Sequence, residues 1–458
     1  MRREVVSRES CFPSRFTTHA SSATLSPTWI RYKIADRMSR LPTRKFTTTP
    51  GTRDILPPES TRLLKTQDRV RERFRMFGFR EVITPALEYA EVLEEPKLRD
   101  ASFKLFDPDN QMLLLRPEMT TPIARLAAQS LAGSPPPYRL SYALPVYRRS
   151  SVGRGQSAEF HQAGVEVVGS GSPAEDAGTI ALLVDVLQTL GLRAPDDFAV
   201  VLGQSAFYGG FLRHAAPEAA PQLLAALAAK DFVRVDELSR NLPDKTGAAV
   251  REIPRLVGPA ADGSVLDEAA RYAGGEVGNE AVAALENLRE VLAHLDAHGC
   301  LGAAILDLGL IGRRDYYTGV VYEVYASGLG FTLANGGRYD NLLHRFGKDL
   351  PATGFAISLE RLISILPHEE MAPLLVLVGD SIEATRAANR LRSSGVPILQ
   401  LAEDLPPEDA ARYARTVGAA WICYPASGAD DALKLAPSEA GGEFFLTTPD
   451  GVAGEVLS

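Results

Sequence analysis

Cysteine is scarce. The 458-residue chain has three, Cys11, Cys300 and Cys423, far apart and in none of the spacings that hold zinc or build a disulfide scaffold. No metal site is therefore expected, and a reducing, cytoplasmic setting is. Long apolar runs are missing too: none approaches the roughly 18 residues needed to span a bilayer, so no membrane segment is expected. Positive charge is in deficit, with 49 Lys and Arg against 57 Asp and Glu and a net charge of −8. That balance argues against broad electrostatic attraction to nucleic acid. At 45% apolar content, a chain of this length can bury two or three cores, so more than one domain is expected.

The composition is not uniform. The first 47 residues carry ten Lys/Arg against three acids and are rich in Ser and Thr, which reads as a basic, disordered extension. An organellar transit peptide has this composition; so does sequence read from a start codon placed too far upstream, with Met38 as the true start. The chemistry is densest at Leu144–Gly169, LPVYRRSSVGRGQSAEFHQAGVEVVG. An apolar run ends at Arg148, a polar loop holds Gly153 and Gly155, and an alternating run passes through Phe160, Val165 and Val167. β-formers on both sides of a Gly-containing loop predict an antiparallel hairpin. Gln162 and Glu166 fall on one face of its second strand; such a pair is ordinarily the wet face of a sheet.

This stretch resembles the second signature motif of class II aminoacyl-tRNA synthetases, and HQAGVEVVG resembles the histidine-specific branch. There an F-R-x-E core and further arginines hold ATP. Arg148 matches the first arginine. Ser150 stands where the glutamate is usual, Ser151 at the loop arginine, and Gln156 and Ala158 at two more arginines. The resemblance implies the hairpin without much of its ATP chemistry.

Further segments carry the same resemblance in order. Thr49–Pro58 is similar to the family's entry segment. Ser60 is placed to cap an amphipathic helix to about Phe77, closed by Gly78. FREVITPALEY is similar to the first class II motif, which builds the family's homodimer. In Phe103–Arg125, Asp109-Asn110 supplies a turn between two short strands, and LRPEMT puts Arg116, Glu118 and Thr120 at a strand-to-helix junction. By the resemblance Glu118 and Thr120 hold the α-amino group of histidine, a cation suited to a carboxylate; the alternative is a helix N-terminal acid serving the dipole. Gln162 and Glu166 are implied to contact the ligand amino group and imidazole. In RRDYYTG, Tyr316 and Tyr317 match the family's histidine-binding tyrosines, although aromatic pairs commonly just pack a sheet. Gly312 occupies the position of a catalytic arginine. In NGGRYD, Tyr339 is implied to line the pocket; in GFAISLERLISI, Arg361 matches the arginine that packs on adenine. Arg148 and Arg361 could hold a nucleotide or phosphate, or serve as ion-pair partners of core acids.

Between these segments, Ser172 is placed to cap a long helix closed by Gly191, Phe198–Gly203 reads as a strand, and residues 205 to about 300 read as a helical insertion. The expected fold class is α+β: a class II synthetase-like antiparallel sheet with flanking helices over 48–368, then a small α/β anticodon-binding-like domain at 371–458. That last domain carries six Lys/Arg against twelve Asp/Glu, poor equipment for RNA, so no tRNA partner is expected. The arginine-poor hairpin and RRDYYTG are similar to the regulatory branch of this family, the regulatory subunits of bacterial ATP phosphoribosyltransferase. Because that family is bacterial, the upstream-start reading of the leader is preferred. The resemblance implies no catalytic residues and no cofactor. It implies a short-form catalytic partner subunit, histidine as effector, and a homodimer within a hetero-octamer. Histidine–tRNA ligase is the alternative.

Overall fold

The computed structural model describes residues 47–458 except 94, 132, 150–156, 274–277, 313–316, 368–373, 404, 427–432, 439–444, 448–451 and 453–458. Within the chain, two compact units meet in sequence at Ser364 and Ile365. The leader, Ser150, Ser151, Gln156 and Tyr316 lie outside the described residues.

The first unit is built on a nine-stranded sheet. Its order is β1 (Arg80–Glu81), β5 (Tyr138–Tyr147), β6 (Glu159–Val168), β12 (Ala352–Ser358), β11 (Ala334–Arg338), β10 (Val320–Ala326), β7 (Phe198–Gln204), β9 (Ala304–Asp307) and β8 (Val257–Pro259). From β5 to β7 every ladder is antiparallel. β5 and β6 form the expected hairpin, paired from Tyr138 with Val168 to Tyr147 with Glu159. A second sheet, β2 (Leu87–Tyr89), β4 (Met112–Leu115) and β3 (Lys104–Phe106), holds the expected turn. There Asn110 takes a φ of +60° and the Asp107 carboxylate accepts from the amides of Asp109 and Gln111.

Helices cover both faces. Helix α1 spans Glu59–Met76 and enters through Pro58 with no side-chain cap. Ser60 thus sits inside the helix rather than capping it: proline pre-sets a helical φ and needs no capping oxygen of its own. Gly78, at φ +81°, supplies the left-handed stop. Helix α2 is Thr120–Ser130. Helix α3, Pro173–Thr189, is capped as expected by the Ser172 hydroxyl, which accepts from the Ala174 amide at 3.3 Å. Arg73 pairs with both Asp185 oxygens at 2.7 and 2.8 Å, tying α1 to α3. Phe74 of α1 meets Phe355 of β12 edge-on at 5.9 Å. On the opposite face, Met119, Ile123 and Ala127 pack with Leu140, Tyr142, Val146 and Val168. Helix α4 is Leu359–Ile365.

Residues 205 to 300 are not helical throughout. Among helices running from Ser205–Ala215 to Gly278–Ala297 lies β8, which pairs antiparallel with β9 at the sheet edge. Its three residues, Val257, Gly258 and Pro259, are too few to give an alternation to read.

In the second unit the sheet order is β14 (Ile398–Leu401), β13 (Leu374–Val378), β15 (Ala419–Pro425), β16 (Leu433–Pro437) and β17 (Phe445–Thr447). The parallel β14-β13-β15 core is linked by helices α5 (Ile382–Ser393) and α6 (Pro407–Thr416), the arrangement that parallel strands require.

Candidate ligand-binding site

Cross-strand pairs share a sheet face. Gln162 and Glu166 of β6 stand opposite Ser358 and Gly354 of β12. Ala356 and Gly354 stand opposite Asn335 and Gly337 of β11, and these opposite Glu323 and Val321 of β10. At its centre this face is floored by the small residues Gly354, Ala356 and Ser358 of β12 and Gly337 of β11, which leaves room above it. A cavity of about 350 Å³ opens there, lined among others by Arg148, Gln162, Tyr317, Glu323, Asn335 and Arg361. It has the size of a small-molecule site. Beside it lies an alcove of about 10 Å³, roughly the space of one water. Its walls include Glu118, Thr120, Gln162, Glu166, Tyr317 and Tyr339. Gln162, Tyr317, Asn335 and Ala356 belong to both.

Six of the seven expected ligand residues therefore meet in one alcove; the seventh, Tyr316, lies outside the described residues. Glu118 is 1% exposed, and its carboxylate accepts from the amides of Thr120 at 2.7 Å and Thr121 at 2.9 Å. It closes the N-terminus of α2 while lining the alcove. Arg116 turns away from the cleft and binds the carbonyls of Pro145 and Thr84; burial lowers its pKa. Glu166, also 1% exposed, accepts from the Tyr339 hydroxyl. A Cβ at Gly354 would collide with the Glu166 carboxylate, so the glycine makes its space. Gln162 is 7% exposed, and its Oε1 has no hydrogen-bond partner among the described residues, a rare state for a buried oxygen.

The two arginines sit at the larger cavity. Arg148 donates through Nε to the Pro117 carbonyl at 2.7 Å and lies 5.2 Å from the Phe160 ring centre. Arg361 donates to the Thr332 carbonyl at 2.6 Å and lies 5.3 Å from the Phe331 ring centre. Burial lowers the Arg361 pKa, opposed by Glu360. Both are held by a carbonyl and an aromatic face.

Sequence reasoning missed Asn335 and Glu323. It also missed the contact of His161 with Glu360, whose carboxylate takes the His161 amide at 2.9 and 3.0 Å and meets its Nδ1 at 2.8 Å. Glu323 could have been found only from strand register, which no local motif encodes; Asn335 opens the NGGRYD segment, in which only Tyr339 was given a place in the pocket. Among the described residues no group of three or more His, Cys, Asp or Glu is placed to hold a metal ion, and no helix is long and apolar enough to cross a membrane.

The histidyl-tRNA synthetase family model matches residues 51–362. An ATP phosphoribosyltransferase regulatory subunit from Rubrobacter xylanophilus is 69% identical over 90% of this chain and 98% of its own. One from Moorella thermoacetica is 38% identical over 81% and 97%. In structure, an ATP phosphoribosyltransferase regulatory subunit/histidyl-tRNA synthetase from Bacillus halodurans superposes with a TM-score of 0.75 at 29% identity, covering 85% of this chain and 100% of that one. The same hairpin, alcove and floor thus sit in a chain that belongs to the histidyl-tRNA synthetase family and, within it, to the ATP phosphoribosyltransferase regulatory subunits.

Proposed function

We propose that this chain is the non-catalytic regulatory subunit of a short-form ATP phosphoribosyltransferase, and that free histidine binding at the alcove transmits feedback inhibition. The catalytic partner condenses ATP with phosphoribosyl pyrophosphate, the first step of histidine synthesis. The observation that carries the reading is the convergence of Glu118, Thr120, Gln162, Glu166, Tyr317 and Tyr339, from four separate chain segments, on one alcove. Buried carboxylates and the Gln162 carbonyl suit an ammonium. An imidazole needs a donor and an acceptor on its two nitrogens, and Tyr317 with Glu166 supplies hydroxyl and carboxylate. The alcove as it stands has room for about one water, so histidine would extend into the adjoining cavity, across the shared walls Gln162 and Tyr317.

Binding with no chemistry is useful only as a signal. Histidine would act by its different affinity for two quaternary states, typically about 1 to 3 kcal/mol. The regulatory chain would form a homodimer within a hetero-octamer, without tRNA. The test is calorimetry of histidine on the purified chain, with ATP–pyrophosphate exchange measured in the same sample, followed by addition of a short-form catalytic subunit. Binding, no exchange and activation of the partner are expected. Synthetase-like exchange would replace this reading with histidine–tRNA ligase.

A further inference from the structure

Tyr317 stands in a slot made by two glycines. A Cβ on Gly312 would lie 2.5 Å from its Cδ2 and 3.3 Å from its Cε2. One on Gly337 would lie 2.9 Å from Cδ1 and 2.8 Å from Cε1. The two long edges of one ring are thus each met by a residue without a side chain. Both glycines also hold backbone angles that disfavour any other residue, φ +79° at Gly312 and +153° at Gly337. Tyr317 itself walls both the cavity and the alcove.

We propose that Gly312 is a positioning residue for ligand binding, acting through Tyr317: the slot fixes the ring as the partition between cavity and alcove and sets where its hydroxyl points. This deepens the reading of the alcove as a histidine site and rests on it. The physical reason is close packing. A methyl group 2.5 Å from Cδ2 is far inside van der Waals contact, so in a close-packed wall the ring has to give way. A side chain at Gly312 must rotate the ring out of the slot or push it toward Gly337.

The test compares Gly312→Ala with Gly299→Ala. Gly299 has φ +72°, and nothing lies within 4 Å of a Cβ placed there, so it carries the same backbone strain without touching a ring. Histidine affinity is measured by calorimetry and stability by thermal unfolding on the full chain. The expected result is a loss of at least ten-fold in affinity for Gly312→Ala, with the larger fall in melting temperature because the clash adds to the strain, and wild-type affinity for Gly299→Ala. Wild-type affinity in Gly312→Ala overturns the proposal. If Gly312→Ala fails to fold, the double variant Gly312→Ala/Tyr317→Ala decides: recovered folding assigns the clash to the ring, and continued failure refutes it. If the wild-type chain itself binds no histidine, the functional reading falls separately. The slot is then judged from a crystal structure of Gly312→Ala, where a displaced Tyr317 ring supports positioning and an unmoved ring overturns it.

Discussion

Arg338 of β11 and Asp176 in the first turn of α3 form a buried ion pair across 162 residues of sequence. Nε and Nη2 of Arg338 reach the two Asp176 oxygens at 3.0 Å each. Its Nη1 serves the Ser170 carbonyl and Asp340, each at 3.1 Å. Burial acts to lower the Arg338 pKa, and the attraction of Asp176 and Asp340 outweighs it. The pair locks the helix that covers one sheet face to the strand that supplies Asn335 and Gly337 to the floor.

Removing one partner leaves the other charge buried, which costs about 3 to 5 kcal/mol. Asp176→Ala is therefore expected to destabilise the chain by that amount in urea unfolding. A loss below about 1 kcal/mol would show that Asp340 alone satisfies the arginine.

Glu166→Gln keeps the shape of the side chain and removes its charge. If the alcove binds histidine, affinity falls at least ten-fold by calorimetry while assembly with the catalytic subunit is kept. Tyr339→Phe, which removes the hydroxyl bonded to Glu166, weakens binding less. An unchanged affinity in Glu166→Gln would displace histidine from this pocket.

Gly354→Ala puts a methyl group into the Glu166 carboxylate and the Val165 carbonyl. Overpacking of this kind costs about 1 to 3 kcal/mol. A lowered melting temperature together with lost histidine binding is expected. Lowered stability with intact binding would mean that Glu166 moves freely and the floor is not its cradle.

Two thiols, Cys423 buried and Cys300 half-buried, give an alkaline signature. Burial pushes Cys300 up to about 11 and Cys423 up to about 12. A folded pKa above the unfolded value means that the folded state holds its proton more tightly. The contribution is full below the unfolded pKa, about 8.5, and is lost as pH rises toward 11 and 12. Stability should fall over that window, and Cys423→Ala should flatten part of the fall measured by urea unfolding at stepped pH. A slope unchanged in the variant would assign it to other groups.

Much of this was legible in the sequence because it is local. The hairpin follows from β-formers around a Gly-containing loop, the α3 start from Ser172-Pro173, and the turn at Asn110 from its tolerance of left-handed angles. The alcove was legible only because short segments carry a family pattern; no periodicity places Glu118 beside Tyr339. What could not be read depends on register and on close contact. Glu323 reaches the site through three cross-strand pairings, and β8 is too short to announce itself. The start of α1 was misplaced because Ser60 is a good capping residue while the chain had already turned at Pro58.

On the proposed reading, in which adenylation is lost, Gly312 makes that loss directional, like the pawl of a ratchet. The resemblance gives this position to an arginine that acts on phosphate and carboxylate. In this chain a long side chain there would meet a disfavoured backbone angle and the Tyr317 ring at once. A single change to arginine would therefore damage the pocket before it could supply a catalyst. Recovery of adenylation would need the backbone, the ring and the side chain to change together.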